Sequence, residues 1–339
     1  MSIKISVVIP CFNEVNYISK CIEGFKNQSI PFNEFEILVC DGKSTDGTQV
    51  EIEKYTALQN FNCKLLINQK QKTPFALNLG LKEGKGKFLS IFGAHAVPDK
   101  DFLKNSIEFL ENNQGFAAVG GILENVYEND ISKIIGKAMS SSFGVGNAYF
   151  RTGNFEGEVD TVAFGAYRKE VFEKVGYFDE DLTRNQDDEF NYRLVKNHLK
   201  MYLTSKIKAK YFVRASIPKL KKQYFQYGYW KVFVNKKHQA ITTIRQMIPP
   251  LFVAFLFSIV PIFLFLKVLM PLYFLGLIVY ASGALYFASK QSKSIIELYK
   301  IAFIFFILHY FYGLGYLSGI IDFYLLNKKP KKSTEKVSR

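Results

Sequence analysis

Two stretches of sequence near the N-terminus decide the fold. Residues 7–14 read VVIPCFNE, and residues 41–48 read DGKSTDGT. Each stretch completes or follows a short apolar run, at residues 3–9 and 35–40, and each leads into a helical pattern. Polar and glycine-rich residues between a strand and a helix are typical of turns. The two stretches therefore predict two strands that each end in a turn.

The alternation of strands and helices continues along the chain. Further β-rich runs lie at 63–67 and 87–92, and helical patterns lie at about 14–27, 47–57 and 74–84. This alternation predicts an α/β fold with a parallel sheet covered on both faces. Ligands bind such sheets at the carboxyl ends of the strands. A G-x-G-x-x-G stretch is missing after the first strand, and the sequence has no G-x-x-x-x-G-K-[ST] phosphate loop, which argues against dinucleotide and P-loop folds.

The composition indicates a chain with a buried core. Of the 339 residues, 48% are hydrophobic, which excludes a disordered chain. The four cysteines have no metal-type spacing, so we expect reduced, buried thiols of a cytosolic domain. They are Cys11, Cys21, Cys40 and Cys63. The N-terminus enters the first strand after too short an apolar run for a signal peptide.

The net charge of +14 is distributed unevenly. Residues 1–189 carry 20 basic and 27 acidic side chains, whereas residues 190–247 carry 14 basic and no acidic ones. A nucleic-acid binder would also be basic. This basic stretch directly precedes long apolar runs and includes no RNA-module signature, so an anionic membrane surface is favoured over nucleic acid as its partner.

Three apolar runs without a charged residue follow at 248–266, 268–289 and 301–321. About 20 residues in a helix cross a hydrocarbon core, so we predict three membrane segments. Basic residues that flank the runs favour the cytoplasmic side. Two arrangements of the third run remain open. It either crosses fully, which puts the basic tail outside, or it is re-entrant and broken near Gly313, Gly315 and Gly319.

The two opening stretches together resemble the start of a family 2 glycosyltransferase with the GT-A fold. Later stretches continue the resemblance, with ALNLGL at 76–81, DTVAFGAYR at 160–168 and NQDDEFNYRL at 185–194. The match is closest to a membrane-anchored subgroup that resembles succinoglycan-biosynthesis transferases. The resemblance covers about residues 3–232. It implies a Rossmann-like domain that binds a nucleotide sugar, followed by C-terminal transmembrane helices.

The resemblance also implies which residues bind the substrates. The residues implied for the nucleotide are Pro10, Phe12, Glu14, Asp41, Asp46 and Asn78. The residues implied for the acceptor are Gly165, Arg168, Gln223 and Trp230. Two of them have simpler interpretations. Asp46 suits a turn and helix cap, and Trp230 suits an anchor at the lipid interface as well as a lid over the site.

The catalytic base implied by the resemblance is Asp187. Sugar transfer requires a group that takes the proton of the acceptor hydroxyl, and a carboxylate suits this role. The family has Glu-Asp at this point and this chain has Gln186-Asp187, so the aspartate is retained. Asp188 and Glu189 follow directly and are alternatives. The simplest interpretation of all three is an acidic, solvated start of a helix.

The metal site is where the sequence departs from the family. The family carries Asp-x-Asp, or Asp-x-His in the subgroup, after its fourth strand, and residues 92–95 here read FGAH. Gly93 replaces the first aspartate, and His95 remains as the candidate ligand of a divalent cation. Imidazole suits Mn²⁺ better than Mg²⁺. Gly93 also favours an alternative, in which the chain is a degenerate, non-catalytic subunit that binds a nucleotide sugar or lipid.

The sequence thus predicts four regions and one activity. The regions are a glycosyltransferase domain at 1–215, a basic and aromatic interfacial helix at 216–247, a membrane region at 248–326 and a basic tail at 327–339. The predicted activity is inverting transfer from a nucleotide-diphospho-sugar to a polyprenyl-linked saccharide at the cytoplasmic face of the inner membrane, in exopolysaccharide or cell-surface glycan synthesis. Direct transfer to polyprenyl phosphate is the alternative reaction. Other polysaccharide-assembly proteins are considered as further partners.

Overall fold

A computed structural model describes residues 2–153, 155–213 and 215–335. The chain divides into two compact units, which are described separately. The first unit comprises Met1–Val126 and Tyr149–Phe212, and the second comprises Tyr127–Ala148 and Val213–Arg339.

Strands and helices are numbered in chain order. The strands are β1 (Ile5–Cys11), β2 (Phe35–Asp41), β3 (Cys63–Ile67), β4 (Phe88–Ile91), β5 (Ala96–Pro98), β6 (Phe116–Val126), β7 (Gly157–Val159), β8 (Ala166–Arg168) and β9 (Lys200–Phe212). The first helices are α1 (Ile18–Lys26), α2 (Thr48–Thr56), α3 (Thr73–Glu83), α4 (Phe102–Asn112), α5 (Asp130–Met139), α6 (Ser142–Val145), α7 (Tyr149–Thr152), α8 (Lys169–Val175) and α9 (Gln186–Lys196). The later helices are α10 (Ile217–His238), α11 (Ile248–Phe257), α12 (Ile259–Phe265), α13 (Met270–Ser289), α14 (Ile295–Ile320), which continues as a π-helix (Ile321–Leu325), and α15 (Lys332–Glu335).

The sheet of the first unit runs in the order β3-β2-β1-β4-β8-β6-β9-β5, and β7 pairs with β9. The strands β3, β2, β1 and β4 are mutually parallel, so their carboxyl ends lie at one edge. The short strand β8 lies antiparallel between β4 and β6. The predicted parallel α/β arrangement is confirmed for β1 to β4. The antiparallel insertion of β8 brings residues 160–165 to the end of β4.

Burial explains why these segments form the sheet and its covering helices. Every residue of β2 is buried, as expected for a strand covered on both faces. Helix α1 buries Ile18, Cys21, Ile22 and Phe25, which lie on one face at helical spacing. Each such side chain contributes about 1.5–3 kcal/mol when it leaves water.

The four cysteines are free and buried, as the sequence predicted. Burial raises the pKa of the Cys40 and Cys63 thiols to about 12. Only the thiolate is a strong nucleophile or metal ligand. These two side chains therefore act as small apolar core residues.

The second unit is built on the crossing of α10 and α14. A Cβ at Gly228 of α10 would collide with the Tyr312 carbonyl of α14, and a Cβ at Gly315 would collide with the Phe225 carbonyl. Glycine at both positions lets the two backbones approach closely, which is typical of helices packed in membranes. Helix α14 is continuous through Gly313, Gly315 and Gly319, so the break at these glycines that one of the two open arrangements assumed is not present.

Among the described residues, three helical segments are long and apolar enough to cross a membrane. They are Ile244–Phe265, Lys267–Ser289 and Ile295–Leu325. The prediction of three C-terminal apolar helices is confirmed. The third segment is longer than the predicted run at 301–321, because the helix extends over charged residues at its start, among them Glu297.

The boundaries of the two units differ from the predicted regions. Residues 127–148 interrupt the predicted 1–215 domain and belong to the second unit. Residues 127–148 join the second unit through long-range pairs. Lys137 of α5 lies 2.6 Å from the Glu297 carboxylate, and the His309 ring is hydrogen-bonded to the Phe143 carbonyl. Helix α10 of the predicted interfacial segment is packed inside the second unit, with Leu220, Tyr229, Trp230 and Val234 buried.

Candidate functional site

The turns after β1 and β2 are hydrogen-bonded to each other. The Asn13 backbone N–H donates to the Ser44 Oγ at 2.7 Å, and the Thr45 N–H donates back to the Asn13 side-chain oxygen at 2.9 Å. The Glu14 N–H donates to the Thr48 Oγ1 at 2.9 Å. The two stretches that decide the fold therefore form one polar structure at the carboxyl edge of the sheet. We call residues 11–15 and 41–48 the strand-end clasp.

Asp41 holds the clasp from inside. Its carboxylate accepts hydrogen bonds from the Ser44 N–H at 2.9 Å, the Ser44 hydroxyl at 2.5 Å and the Gln49 amide at 2.6 Å. The residue is 0% exposed. The sequence predicted a direct contact between this carboxylate and a nucleotide. In the structure these bonds hold Asp41 beneath the turn, where it fixes the backbone.

Asp46 joins the turn of β2 to that of β1. One of its oxygens accepts from the backbone N–H and hydroxyl of Thr48, and the other accepts from the Val15 N–H at 3.2 Å. Partial burial, which raises the pKa of this carboxyl, is outweighed by these hydrogen bonds, so the pKa lies below its usual value. The simpler interpretation of Asp46, a residue of the turn and helix start, describes these contacts.

Phe12 and Pro10 lie at the same carboxyl edge of the sheet, at the end of β1. Phe12 is 39% exposed, although it is large and apolar. Its ring lies against Gly42, where an added Cβ would be 3.3 Å from the Phe12 Cδ2. Pro10 is the half-buried residue of β1 opposite Cys40 of β2. An exposed aromatic face at a strand end suits stacking with a nucleotide base.

Glu14 and His95 bring the ends of β1 and β4 together. The His95 Nδ1 lies 3.7 Å from the Glu14 Oε1, and both side chains are mostly buried. The His95 ring also contacts Tyr211 edge to face, with the ring centroids 5.2 Å apart. The sequence assigned Glu14 to the nucleotide and His95 to a cation. The structure makes them neighbours, so the two side chains are close enough to share a cation.

The described residues offer few protein ligands for a metal. Among them, no group of three His, Cys, Asp or Glu side chains could hold an ion. Glu14 and His95 provide two donors, one oxygen and one nitrogen. A cation that takes its remaining ligands from substrate phosphates and water, as Mg²⁺ commonly does, fits such a pair.

Phe164 lies on Gly93, the position where the family carries its first acid. A Cβ at Gly93 would be 2.8 Å from the Phe164 Cε1 and 3.0 Å from its Cζ. The ring is held by Phe92, with centroids 4.5 Å apart. Phe164 itself has a φ of 48°, in the left-handed region that bulky residues rarely adopt. The space next to Gly93 is therefore filled by an aromatic ring.

The acids at the start of α9 have different environments. Glu189 is 2% exposed and forms a two-pronged ion pair with Arg193, at 2.8 and 3.0 Å. Arg193 also donates to the carbonyls of Gly176 and Tyr177 at 3.2 and 2.7 Å. Glu189 thus has a structural role, which removes it as an alternative base. Asp187 is exposed in the first turn and accepts the Asp188 N–H at 2.9 Å.

Helix α9 borders the loop that covers Gly93. The Asn191 amide donates to the Thr161 hydroxyl at 2.8 Å. Burial, and after it the negative charge of Asp187, raise the pKa of the Tyr167 phenol in β8. Since β8 pairs with β4, the exposed acid of α9 lies on the β8 side of the strand end that bears Gly93 and His95.

Asn78, which the sequence assigned to the nucleotide, makes its hydrogen bonds inside the first unit. The buried Asn78 amide donates to the Phe178 carbonyl and Glu180, and its oxygen accepts from the Phe178 N–H. These bonds use its polar atoms inside the core, and its contact with the nucleotide stays a prediction.

The two acceptor candidates at β8, Gly165 and Arg168, also have structural contacts, and their role toward the acceptor stays a prediction. The Arg168 guanidinium donates to the carbonyls of Phe116, Leu110 and Asn113 and so ties β8 to the end of α4. Gly165 is buried, and a Cβ there would lie 2.8 Å from a Val162 methyl group. Glycine is needed there for close packing.

The remaining acceptor candidates lie in the second unit. The Gln223 amide donates to the Tyr227 hydroxyl at 2.6 Å within α10. Trp230 is 1% exposed, and its indole N–H donates to the Thr334 carbonyl at 3.2 Å. The Trp230 ring is enclosed by the second unit, and its two predicted roles stay predictions.

The sequence missed the residues that contact His95 and Gly93 from distant parts of the chain. Tyr211 of β9 packs on His95, and the Arg151 guanidinium lies over the Tyr211 ring at 5.1 Å from its centroid. Phe164, which lies against Gly93, is the third residue that the sequence did not indicate. Tyr211 precedes no recognisable turn, and Arg151 belongs to no motif, so only the sheet pairing of Ala96 with Tyr211 reveals them.

Comparison with known proteins agrees with this fold. Residues 6–176 match the family described as glycosyl transferase family 2. A Methanococcus voltae enzyme, dolichyl N-acetyl-α-D-glucosaminyl phosphate 3-β-D-2,3-diacetamido-2,3-dideoxy-β-D-glucuronosyltransferase, is 39% identical over 69% of this chain and 74% of its own. The succinoglycan biosynthesis protein ExoA of Rhizobium meliloti is 31% identical over 72% of this chain and 73% of its own.

A solved structure extends the comparison to the fold. The mannosyltransferase PcManGT of Pyrobaculum calidifontis, in complex with GDP-Man and Mn²⁺, has a TM-score of 0.60 with 16% identity, over 95% of this chain and 88% of that one. At this identity the likeness concerns the fold alone. The predicted GT-A fold with C-terminal apolar helices is confirmed, and the predicted glycosyltransferase activity is confirmed by the family. The chain belongs to glycosyl transferase family 2.

Proposed function

We propose that this glycosyltransferase moves a sugar, with inversion, from a nucleotide-diphospho-sugar to a polyprenyl-linked saccharide. The observation that carries the proposal is the carboxyl edge of the sheet, where the clasp, Glu14 and His95 meet near the end of β4. Ligands of open α/β sheets bind at such an edge. In this proposal the nucleotide lies on the clasp and the diphosphate lies toward His95.

The clasp binds the nucleotide through a rigid backbone. Asp41 and Asp46 accept hydrogen bonds from the turn itself, so the turn keeps its shape without a ligand. The exposed ring of Phe12 provides a flat face for the base. Preorganisation of this kind reduces the entropy lost on binding.

Asp187 is the proposed base. It is the exposed acid of α9, whereas Glu189 is neutralised by Arg193. In a single displacement, the Asp187 carboxylate takes the proton of the acceptor hydroxyl while that oxygen forms the new bond to the anomeric carbon. The bond to the nucleoside diphosphate breaks at the same time. One displacement inverts the anomeric configuration, and no enzyme nucleophile is needed.

A divalent cation, Mn²⁺ or Mg²⁺, is proposed as the cofactor. Such an ion neutralises the charge of the leaving diphosphate. His95 and Glu14 would hold it, because they are the oxygen and nitrogen donors that meet at the end of β4. Neutral imidazole is the form that ligates a metal.

The acceptor is proposed to be lipid-linked and to be reached at a membrane. The name of the Methanococcus voltae relative describes a dolichyl phosphate-linked sugar as its acceptor. The part of the chain that the structure describes carries three candidate membrane spans, and residues 190–247 hold 14 basic and no acidic side chains. We propose a multi-pass protein of the cytoplasmic membrane with its catalytic unit on the cytoplasmic side, in exopolysaccharide or cell-surface glycan synthesis.

The proposal is tested by following a radiolabelled sugar into lipid. Membranes that contain the wild-type chain are incubated with labelled UDP-, GDP- and dTDP-sugars, and the lipid-extractable label is measured. We expect label to enter the lipid fraction from at least one donor, as a glycan on a diphosphate or phosphate lipid. Membranes without the chain provide the background.

The Asp187→Asn variant distinguishes turnover from binding. It should bind nucleotide in a thermal-shift measurement and transfer no label above background. A wild-type chain that binds nucleotide sugars but transfers none would favour the non-catalytic subunit. Label found on polyprenyl phosphate alone would favour direct transfer to that lipid.

A further inference from the structure

The contact between Gly93 and Phe164 carries an inference about how this site holds its cation. Gly93 is not among the glycines with positive φ, so its backbone accepts any L-residue. What excludes a side chain is the Phe164 ring, 2.8 Å from the position of a Cβ. A contact below 3.0 Å requires the ring or the strand end to move.

The ring is held from two sides. It packs on Phe92, which is fully buried and contacts Phe25 and Phe102 edge to face. The backbone of Phe164 is in the left-handed region, and the Gly165 carbonyl that follows accepts the Ile91 N–H of β4 at 3.0 Å. An uncommon backbone conformation that persists at a strand end is kept by its surroundings and is often functional.

We propose that Phe164 takes the space of the first metal-side acid, so that the cleft holds a cation only together with the donor diphosphate. This proposal rests on the proposed function for the identity of the donor. The protein offers Glu14 and His95 but no third ligand among the described residues. An ion with two protein donors depends on substrate phosphates for much of its coordination.

The steric part is tested with thermal unfolding of the detergent-solubilised full chain. The variants are Gly93→Ala, Gly93→Asp, Phe164→Ala and the double variant Gly93→Asp/Phe164→Ala. Gly93→Ala and Gly93→Asp should lower the midpoint by about 2–10 °C, as expected for overpacking. The double variant should recover part of that loss, so that the two changes are not additive. Additive effects, or a Gly93→Ala variant as stable as wild type, would overturn the steric claim.

The cation part is tested with Mn²⁺ alone, through the electron paramagnetic resonance signal of free Mn²⁺. Wild type and Phe164→Ala should leave that signal unchanged without nucleotide and reduce it when UDP or GDP is added. The double variant should reduce it without nucleotide, because the carboxylate introduced by Gly93→Asp adds a third donor. Tight binding of Mn²⁺ to wild type alone, or none by a folded double variant, would overturn the proposal. Neither measurement requires sugar transfer, so failure of the proposed function would be seen separately, as wild type that transfers no label.

Discussion

The ends of β2 and β4 lie at the same edge of one sheet and use opposite means to shape it. At the end of β2, Asp41 and Asp46 accept hydrogen bonds from the turn and its neighbour, so polar side chains fix the backbone. At the end of β4, Gly93 has no side chain, and the Phe164 ring fills the space. The polar stretch after β2 is thus a closed hydrogen-bond network. After β4, where Gly93 replaces an acid of the family, packing by Phe164 from a distant part of the chain fills the space.

We expect the rate of sugar transfer to depend on Asp187 more than on His95 at the end of β4. Asp187→Asn should lower kcat by about 10²–10⁴, the usual effect of losing a general base. His95→Ala should act mainly on the concentration of cation needed. Steady-state transfer rates across a Mn²⁺ series measure both variants. A larger loss of kcat for His95→Ala at saturating Mn²⁺ would reverse the assignment.

Asp188→Asn is the matched control for the base. It removes the same charge from the same turn of α9 and should keep activity within a few-fold of wild type. If it abolished transfer while Asp187→Asn did not, the base would be Asp188.

Removing the internal acceptor of the clasp should have the next largest effect. Asp41→Ala leaves the Ser44 N–H and hydroxyl and the Gln49 amide without their buried partner. Hydrogen bonds to a charged group contribute about 1.5–3 kcal/mol each and are not additive. The thermal midpoint should fall by several degrees, at about 2–4 °C per kcal/mol. An unchanged midpoint would show that the clasp is not a rigid structure.

A smaller loss is expected when one donor of the clasp is removed. Ser44→Ala deletes the hydroxyl that donates to Asp41 and accepts the Asn13 N–H. Two neutral or mixed hydrogen bonds correspond to about 1–3 kcal/mol. The midpoint should fall less than in Asp41→Ala, and the double variant should be little worse than Asp41→Ala. Strict additivity would mean that the two residues act independently.

The smallest effect concerns pH. The folded pKa of Asp46 lies below its usual value, so its contribution to stability is present above the ordinary pKa of about 4 and is lost as pH falls through the folded pKa. Asp46→Asn should therefore be less stable than wild type at pH 6. The two midpoints should converge below about pH 4. A constant difference across that range would mean that the charge of Asp46 is not involved.

The sequence predicts the ends of β1 and β2 well because their determinants are local. Asn13, Asp41 and Asp46 act within turns or on the neighbouring turn, and turn chemistry is visible in composition. Their detailed role was less predictable, since the same pattern fits a residue that binds a ligand and one that binds its own backbone. Asp41 and Asn78 are of the second kind.

Long-range contacts explain what the sequence did not reveal. Phe164 and Tyr211 reach Gly93 and His95 only through the pairing of β8 with β4 and of β9 with β5. Residues 127–148 join the second unit through pairs such as Lys137 with Glu297, which no local pattern indicates. The glycines of α14 suggested a break, whereas they permit close helix packing.

The most direct test of the account is a calorimetric titration of UDP, GDP and dTDP into three proteins, namely wild type, Asp187→Asn and Asp41→Ala. If the clasp binds the nucleotide and α9 carries the base, one nucleotide should bind wild type and Asp187→Asn with equal affinity, in the range of about 1 μM to 1 mM that is usual for enzyme substrates. Asp41→Ala should bind it about tenfold more weakly or worse, because the turn proposed to carry the nucleotide loses its buried acceptor and with it its fixed shape. Equal binding by wild type and Asp41→Ala, or loss of binding in Asp187→Asn alone, would contradict the account.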